Sequence, residues 1–194
     1  MRAVRRITGR ALPLDRANVD TDQIIPAHWL KRVERTGYAV GLFEAWRRDP
    51  SFVMNDPRYA GASILIAGAN FGSGSSREHA VWALDEAGFR AVIAPRLADI
   101  FRANCLKSGV VPAELAADEV TTLLRLAERE PQVEITIDVE ARTVTAPGVS
   151  ARFPLDDHAR RRLIEGLDDI ALTLTHRDEI ARHEGERPSW LPHL

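Results

Sequence analysis

The sequence predicts an α/β domain built on parallel strands, and three observations carry that expectation. Short apolar runs at 63–67, 91–94 and 110–112 have the length and branched side chains of strands buried on both faces. The stretches between them read as helices, each ended by a glycine, Gly88 and then Gly109. Strand–helix–strand–helix–strand order is the signature of layered α/β structure with parallel strands. Past Pro131 the pattern changes. Val133, Ile135, Ile137 and Val139 fall on every second position, the period of a strand with one buried face.

Taken in order, residues 2–14 alternate weakly and read as a strand or two around Gly9. Asn18-Val19-Asp20-Thr21-Asp22 is a polar turn cluster. A short helix is expected at about 27–32, a flexible loop between Gly37 and Gly41, and another short helix at 42–48. The strand at 63–67 leads into a Gly/Ser-rich turn. There Ser75 and Glu78 fit the S-x-x-E capping box, which puts the next helix start at Ser75 or Ser76. That helix should bury Ala80, Val81, Ala83, Leu84 and Ala87. The strand at 91–94 is ended by Pro95, a helix follows at 100–107, and the third strand lies at 110–112. A charged helix occupies 116–130. Strands at 132–139, 143–146 and 151–153 form a small antiparallel sheet. An arginine-rich helix at 156–166 presents a solvated face, and a last helix runs over 175–184. The tail 187–192 has no periodicity and is expected to lie as an extended arm. With no internal repeat, linker or low-complexity stretch, residues 1–194 read as a single domain.

Composition narrows the function. The 194 residues are 45% hydrophobic and 28% charged, which excludes a disordered chain, and the net charge of −2 offers no field to nucleic acid or an anionic membrane. Cys105 is the one cysteine, so an internal disulfide and a cysteine-held iron–sulfur cluster are both excluded. It lies within an apolar helical pattern and should pack as a small hydrophobe. The basic start of the chain is not followed by an apolar signal core, and no stretch approaches about 18 apolar residues. A cytoplasmic protein with no nucleic-acid or membrane partner is the expectation.

The stretch Gly68-Ala69-Asn70-Phe71-Gly72-Ser73-Gly74-Ser75-Ser76-Arg77-Glu78-His79-Ala80 carries the chemistry. Its glycines let the backbone approach a ligand. A helix start offers free N–H groups to an anion, and Arg77 adds a planar fork for a carboxylate or phosphate. Anion binding beside two hydroxyls is one reading. A well-built turn and cap with nothing to bind is the other. The stretch is not a P-loop, which would end Gly-Lys-Ser/Thr, nor a G-x-S-x-G elbow, nor a G-x-G-x-x-G turn, since Arg77 stands at the third glycine position.

The run from Phe71 to Ala80, with Trp82-Ala83-Leu84 after it, resembles the signature of 3-isopropylmalate dehydratase small subunits, the swivel-domain branch of the aconitase superfamily. Asn18-Val19-Asp20-Thr21-Asp22-Gln23-Ile24-Ile25-Pro26-Ala27 is similar to the family's first motif. Leu30-Lys31-Arg32, Gly41-Leu42-Phe43, Trp46-Arg47, Phe101-Arg102-Ala103-Asn104-Cys105 and Lys107-Ser108-Gly109 also match, in order, as far as the Trp190-Leu191-Pro192 tail. Several separated motifs in order are far more specific than one.

The resemblance implies a swivelling β/β/α domain: a mostly parallel sheet with flanking helices, plus a smaller antiparallel barrel-like sheet. It implies a hydro-lyase of leucine biosynthesis that interconverts 2-isopropylmalate and 3-isopropylmalate by dehydration and rehydration. A [4Fe-4S] cluster, bound by a partner large subunit and not by this chain, would act on the departing hydroxyl. Such a cluster needs about three cysteines with one iron left open, and this chain has one cysteine. By the same resemblance Ser75 is the base, and Asp22 orients a histidine of the large subunit. Ser76, Arg77, Thr21 and the backbone at Gly74 contact the substrate, and Lys31 or Arg32 falls near a superfamily arginine that does so too. The loop at 34–41 corresponds to the segment that reads the substrate's variable group, with Tyr38, Val40 and Leu42 available to an isopropyl group. His79, four residues after Ser75 on the same helical face, either orients the site or is a satisfied structural histidine, and it stays outside the catalytic set. Many relatives carry cysteine where Ser73 stands; that cysteine is not the base. Two other functions stand beside this one: a small subunit for a related diacid such as homoaconitate or citraconate, and a carboxylate-binding module without catalysis.

Overall fold

The structure is a computed structural model, and it describes residues 1–34, 36–75 and 77–188. Seven strands form one sheet: β1 (Arg6–Leu14), β2 (Ile64–Ala67), β3 (Ala91–Ala94), β4 (Val111–Glu114), β5 (Glu134–Asp138), β6 (Thr143–Ala146) and β7 (Val149–Arg152). Their order is β4-β3-β2-β1-β5-β6-β7. The four strands β1 to β4 are parallel neighbours, while β1, β5, β6 and β7 pair antiparallel.

This corrects the expectation of a mostly parallel sheet plus a separate smaller one. The two halves are one mixed sheet because β1 belongs to both. It is nine residues long, against four or five in every other strand. Arg6 to Arg10 pair antiparallel with β5, and Ala11 to Leu14 pair parallel with β2. Gly9 does not split the strand. A Cβ there would lie 2.1 Å from the Ser63 hydroxyl, so the glycine is where the turn before β2 packs against β1.

Alternation along the strands divides the interior into two cores. Leu65, Ala67, Val92 and Ala94 face one way, into a cluster with Val19, Ile24, Ile25, Leu42, Phe43, Val81, Leu84, Phe101 and Cys105. Ile64, Ile66, Ala91 and Ile93 face the other, into a cluster with Val120, Leu123, Ile135, Ile137 and Leu163. Successive residues of a strand point to opposite faces, so a strand covered on both sides must be apolar throughout. The first face is covered by α1 (Thr21–Ile24), α2 (Glu44–Arg47), α3 (Glu78–Glu86) and α4 (Asp99–Ser108). The second is covered by α5 (Ala117–Arg129) and α6 (Asp157–Glu165).

Most elements fall where the periodicity puts them, but α1 forms where a polar turn is expected, 3-10 turns at Val53–Asn55 and Pro57–Tyr59 arise where none is expected, and three further departures matter more. The 37–41 stretch is a 3-10 turn, Tyr38–Gly41, rather than a loop, with Tyr38 and Leu42 in the first core. A helix at Asp169–Leu174, α7, precedes the expected last one, α8 (Arg177–Gly185). Neither α7 nor α8 contains a buried residue, which is why α7 leaves no apolar period to read. The third is α3, which starts later than its capping pattern implies. The expected arm reaches into 189–194, outside the described residues.

Cys105 packs as expected, fully buried on α4, and burial pushes its thiol well above the ordinary range. A thiol reagent should therefore modify it only after unfolding, because the thiolate is the reacting species. Alkylation of the native chain at the rate of a free thiol would contradict that burial.

Candidate active site

Three connections leave the same end of the parallel half-sheet. Those after β1, β2 and β3 carry residues 18–22, 68–77 and 95–101. Ligands in open parallel sheets bind in the crevice beyond the carboxyl ends of the strands. Here a cleft of about 210 Å³ lies between these connections, lined by Thr21, Gly72, Gly74, Ser75, Arg77, Ala98, Asp99, Ile100 and Phe101.

The first two connections run side by side. Asn18 N–H donates to the Ala69 carbonyl (2.8 Å), Gly72 N–H to that of Val19 (2.8 Å), and Thr21 N–H to that of Ser73 (3.0 Å). Asn18 and Asn70 both adopt positive φ, a conformation asparagine tolerates, and the Asn70 amide donates to the Asn18 side chain at 3.0 Å. Asp20 caps α1 through the Gln23 N–H, and the Gln23 side chain accepts from the Asp20 N–H. This capping box holds α1, although the local pattern places one at Ser75.

At Ser75 the expectation is corrected. The helix α3 starts at Glu78 with Arg77 as its N-cap, and the Arg77 side chain makes no capping hydrogen bond. Arg77 is extended (φ −137°, ψ 110°), and its guanidinium is hydrogen-bonded to the Asp22 carboxylate. Ser75 therefore stands three positions ahead of the helix, in a bend after Gly74, whose φ is +85°. The S-x-x-E spacing is present in sequence, but Arg77 is drawn across to α1 and the chain cannot close the extra turn.

The structure thus gathers Ser75, Gly74, Arg77, Thr21 and Asp22. Thr21 is 2% exposed, and its hydroxyl donates to the Ser75 carbonyl at 2.9 Å. The Arg77 side chain is 16% exposed and its Asp22 partner 55%. Ser75 is exposed on the chain. Ser76 lies outside the described residues. Lys31 ends the 3-10 turn Ala27–Lys31, is exposed, and is not among the cleft-lining residues. The Arg32 guanidinium sits 5.3 Å from the Trp29 ring centre and 3.8 Å from the Glu34 carboxylate.

The 34–42 segment is tied to α3. Glu86 accepts from the Tyr38 and Ala39 N–H groups (2.6 and 3.2 Å), and the Tyr38 ring meets His79 and Trp82 edge-on (5.3 and 5.7 Å). His79 is a packing residue here, its pKa lowered by desolvation, and with Ser75 off the helix the shared-face argument no longer applies. Tyr38 and Leu42 are spent in the core, and only Val40, 68% exposed, remains open.

Local reading missed the third wall, Ala98, Asp99 and Ile100 at the start of α4. Its apolar part faces the polar Thr21, Ser75 and Arg77. The signal available was positional: these residues come after the proline-ended strand β3, parallel to β2. Among the described residues no group of three His, Cys, Asp or Glu side chains comes together to hold a metal, and no helix is long and apolar enough to cross a membrane.

Comparison with known proteins agrees in one direction. Residues 1–118 match the aconitase C-terminal domain, and residues 169–194 match the C-terminal domain of the 3-isopropylmalate dehydratase small subunit. The chain is 61% identical over 185 residues to the 3-isopropylmalate dehydratase small subunit of Frankia alni, covering 95% of each chain. It is 57% identical over 192 residues to that of Streptomyces coelicolor, covering 99% of this chain and 98% of the other. It is 53% identical to that of Rubrobacter xylanophilus over the whole of both. The crystal structure of a 3-isopropylmalate dehydratase from Methanocaldococcus jannaschii superposes with a TM-score of 0.65 at 25% identity, covering 92% of this chain and 99% of that one.

Proposed function

Because this chain belongs to the 3-isopropylmalate dehydratase small-subunit family, a hydro-lyase subunit of leucine biosynthesis, we propose that it interconverts 2-isopropylmalate and 3-isopropylmalate with a large subunit docked over the Ser75 cleft. The observation that carries this reading is the meeting of two motifs in one cleft, polar on the Thr21, Ser75 and Arg77 side and apolar on the Ala98, Ile100 and Phe101 side. Such a cleft suits an acid with a branched alkyl group. The open wall at Ile100 supports an isopropyl contact better than Tyr38 or Leu42, which lie in the core.

The residues of this chain do not fit a [4Fe-4S] cluster. The one thiol is buried with a raised pKa, and no ligand group assembles among the described residues. The cluster implied by the family resemblance would be held by the large subunit. The work of this chain is binding and proton transfer. Arg77 offers its fork to a substrate carboxylate, taking up the place now held by Asp22. Gly74 lets the backbone approach the same group, and Asp22, mostly exposed, is free to face the partner once displaced. Ser76 would hydrogen-bond that carboxylate, and Lys31 would contact substrate only from outside the described cleft. Ser75 takes the proton from carbon and returns it on rehydration. A serine is a poor base unless its ionised form is stabilised, and Arg77, which lines the same cleft, is the cation that would do so. A cytoplasmic setting completes the proposal.

The test is anaerobic co-expression with a cluster-bearing large subunit, following isopropylmalate turnover by absorbance of the unsaturated intermediate. Turnover that requires both chains is expected. A pair active on homoaconitate or citraconate but not on isopropylmalate would reassign the substrate, and a pair inactive on all three would sink the catalytic reading. In the active pair Arg77→Lys should raise KM about 10- to 100-fold, since a point charge replaces a bidentate fork. An unchanged KM would remove Arg77 from the substrate.

A further inference from the structure

The backbone ladder between the first two connections stops at Ser73, two residues short of the serine that matters. Its last rung is Thr21 N–H to the Ser73 carbonyl (3.0 Å). Beyond it the chain turns through Gly74 at φ +85°, a conformation glycine adopts without penalty. Among the described residues one hydrogen bond reaches Ser75, and it comes from the Thr21 hydroxyl at 2.9 Å. Thr21 itself has little freedom. It is buried, opens α1, and has its N–H committed to Ser73. The next residue, Asp22, holds the Arg77 guanidinium. One turn of helix, fixed by the Asp20–Gln23 capping box, therefore grips the signature loop on both sides of position 76.

We propose that Thr21 is a positioning residue for Ser75: its hydroxyl, by holding the Ser75 carbonyl, orients the Ser75 peptide and so aims the serine side chain at the substrate. This rests on the reading of Ser75 as base. It departs from a substrate contact for Thr21, whose hydroxyl proton is already given to the loop. A β-branched side chain suits the task, because its restricted χ1 keeps the hydroxyl in place.

The experiment uses the assembled two-subunit enzyme. Thr21→Val keeps the shape and removes the donor, Thr21→Ser keeps the donor, and Ser75→Ala is the reference. Displacing a reacting group by about an ångström costs on the order of 10²-fold in rate. Thr21→Val should lower kcat by about that factor with KM within about threefold of the parent, and Thr21→Ser should recover most of the rate. Melting temperature and co-purification with the large subunit are recorded for each variant. If Thr21→Val does not fold, Thr21→Ala takes its place, judged against Thr21→Ser in the same way. A raised KM with kcat intact would make Thr21 a substrate contact and overturn the proposal. So would full activity in Thr21→Val while Ser75→Ala is dead. Full activity in Ser75→Ala would instead remove the base on which the proposal rests.

Discussion

Ser75→Ala should leave a folded, partner-competent subunit whose enzyme is nearly inactive. A positioned general base contributes about 10²- to 10⁴-fold, so kcat for isopropylmalate is expected to fall by that factor. The substitution is unusually clean. Ser75 is exposed on this chain, and the one hydrogen bond it receives among the described residues goes to its backbone carbonyl, which alanine keeps. Melting temperature and assembly with the large subunit should be unchanged, and KM should move little because Arg77 still offers the carboxylate fork. Wild-type turnover in this variant would show that the proton is taken elsewhere. A lost rate together with lost assembly would show that Ser75 serves the interface.

Gly72→Ala should produce the largest structural effect of any methyl added to the site. Gly72 has φ +78°, and a Cβ there would lie 2.2 Å from Phe101 Cγ and 2.5 Å from its Cβ. Phe101 cannot yield. It is 2% exposed and meets the Phe71 ring at 5.3 Å. A left-handed backbone costs an alanine about 1–2 kcal/mol, and overpacking a core adds about 1–3 kcal/mol. Together these predict a fall in Tm of about 4–20 °C, because each kcal/mol moves a chain of this size by about 2–4 °C. The control is Gly88→Ala. Gly88 has φ +100° but nothing within 4 Å of the added methyl, so it carries the backbone cost alone. Equal shifts in the two variants would mean that the Phe101 contact is relieved by movement. Activity of Gly72→Ala should drop further than its stability explains, since Phe101 and Gly72 both line the cleft.

The capping box shows how little a local pattern decides. Two stretches have the composition for one. Asp20 and Gln23 form it, whereas Ser75 and Glu78 do not. There the outcome turns on Asp22, distant in sequence, which pairs with Arg77 and keeps it extended. Tyr38 illustrates the same limit. Two glycines around an aromatic residue read as a loop, yet His79, Trp82 and Glu86 bring Tyr38 inward. Neither partner set is visible in a window around the residue.

The strands, the glycine-stopped helices and the family motifs were legible in chain order, because hydrophobic period, turn chemistry and residue identity are local properties. Ser75, Arg77, Thr21 and Asp22 could be named because they stand in those family motifs. What needed the folded chain was their relation. That β1 serves both halves of one mixed sheet depends on which strands find its two edges. That Thr21 meets Ser75 across 54 positions, and that Ala98 and Ile100 close the cleft opposite, depends on three parallel strands delivering their connections to one end. Pairing and burial belong to two surfaces at once, and a periodicity read along one segment holds only one of them.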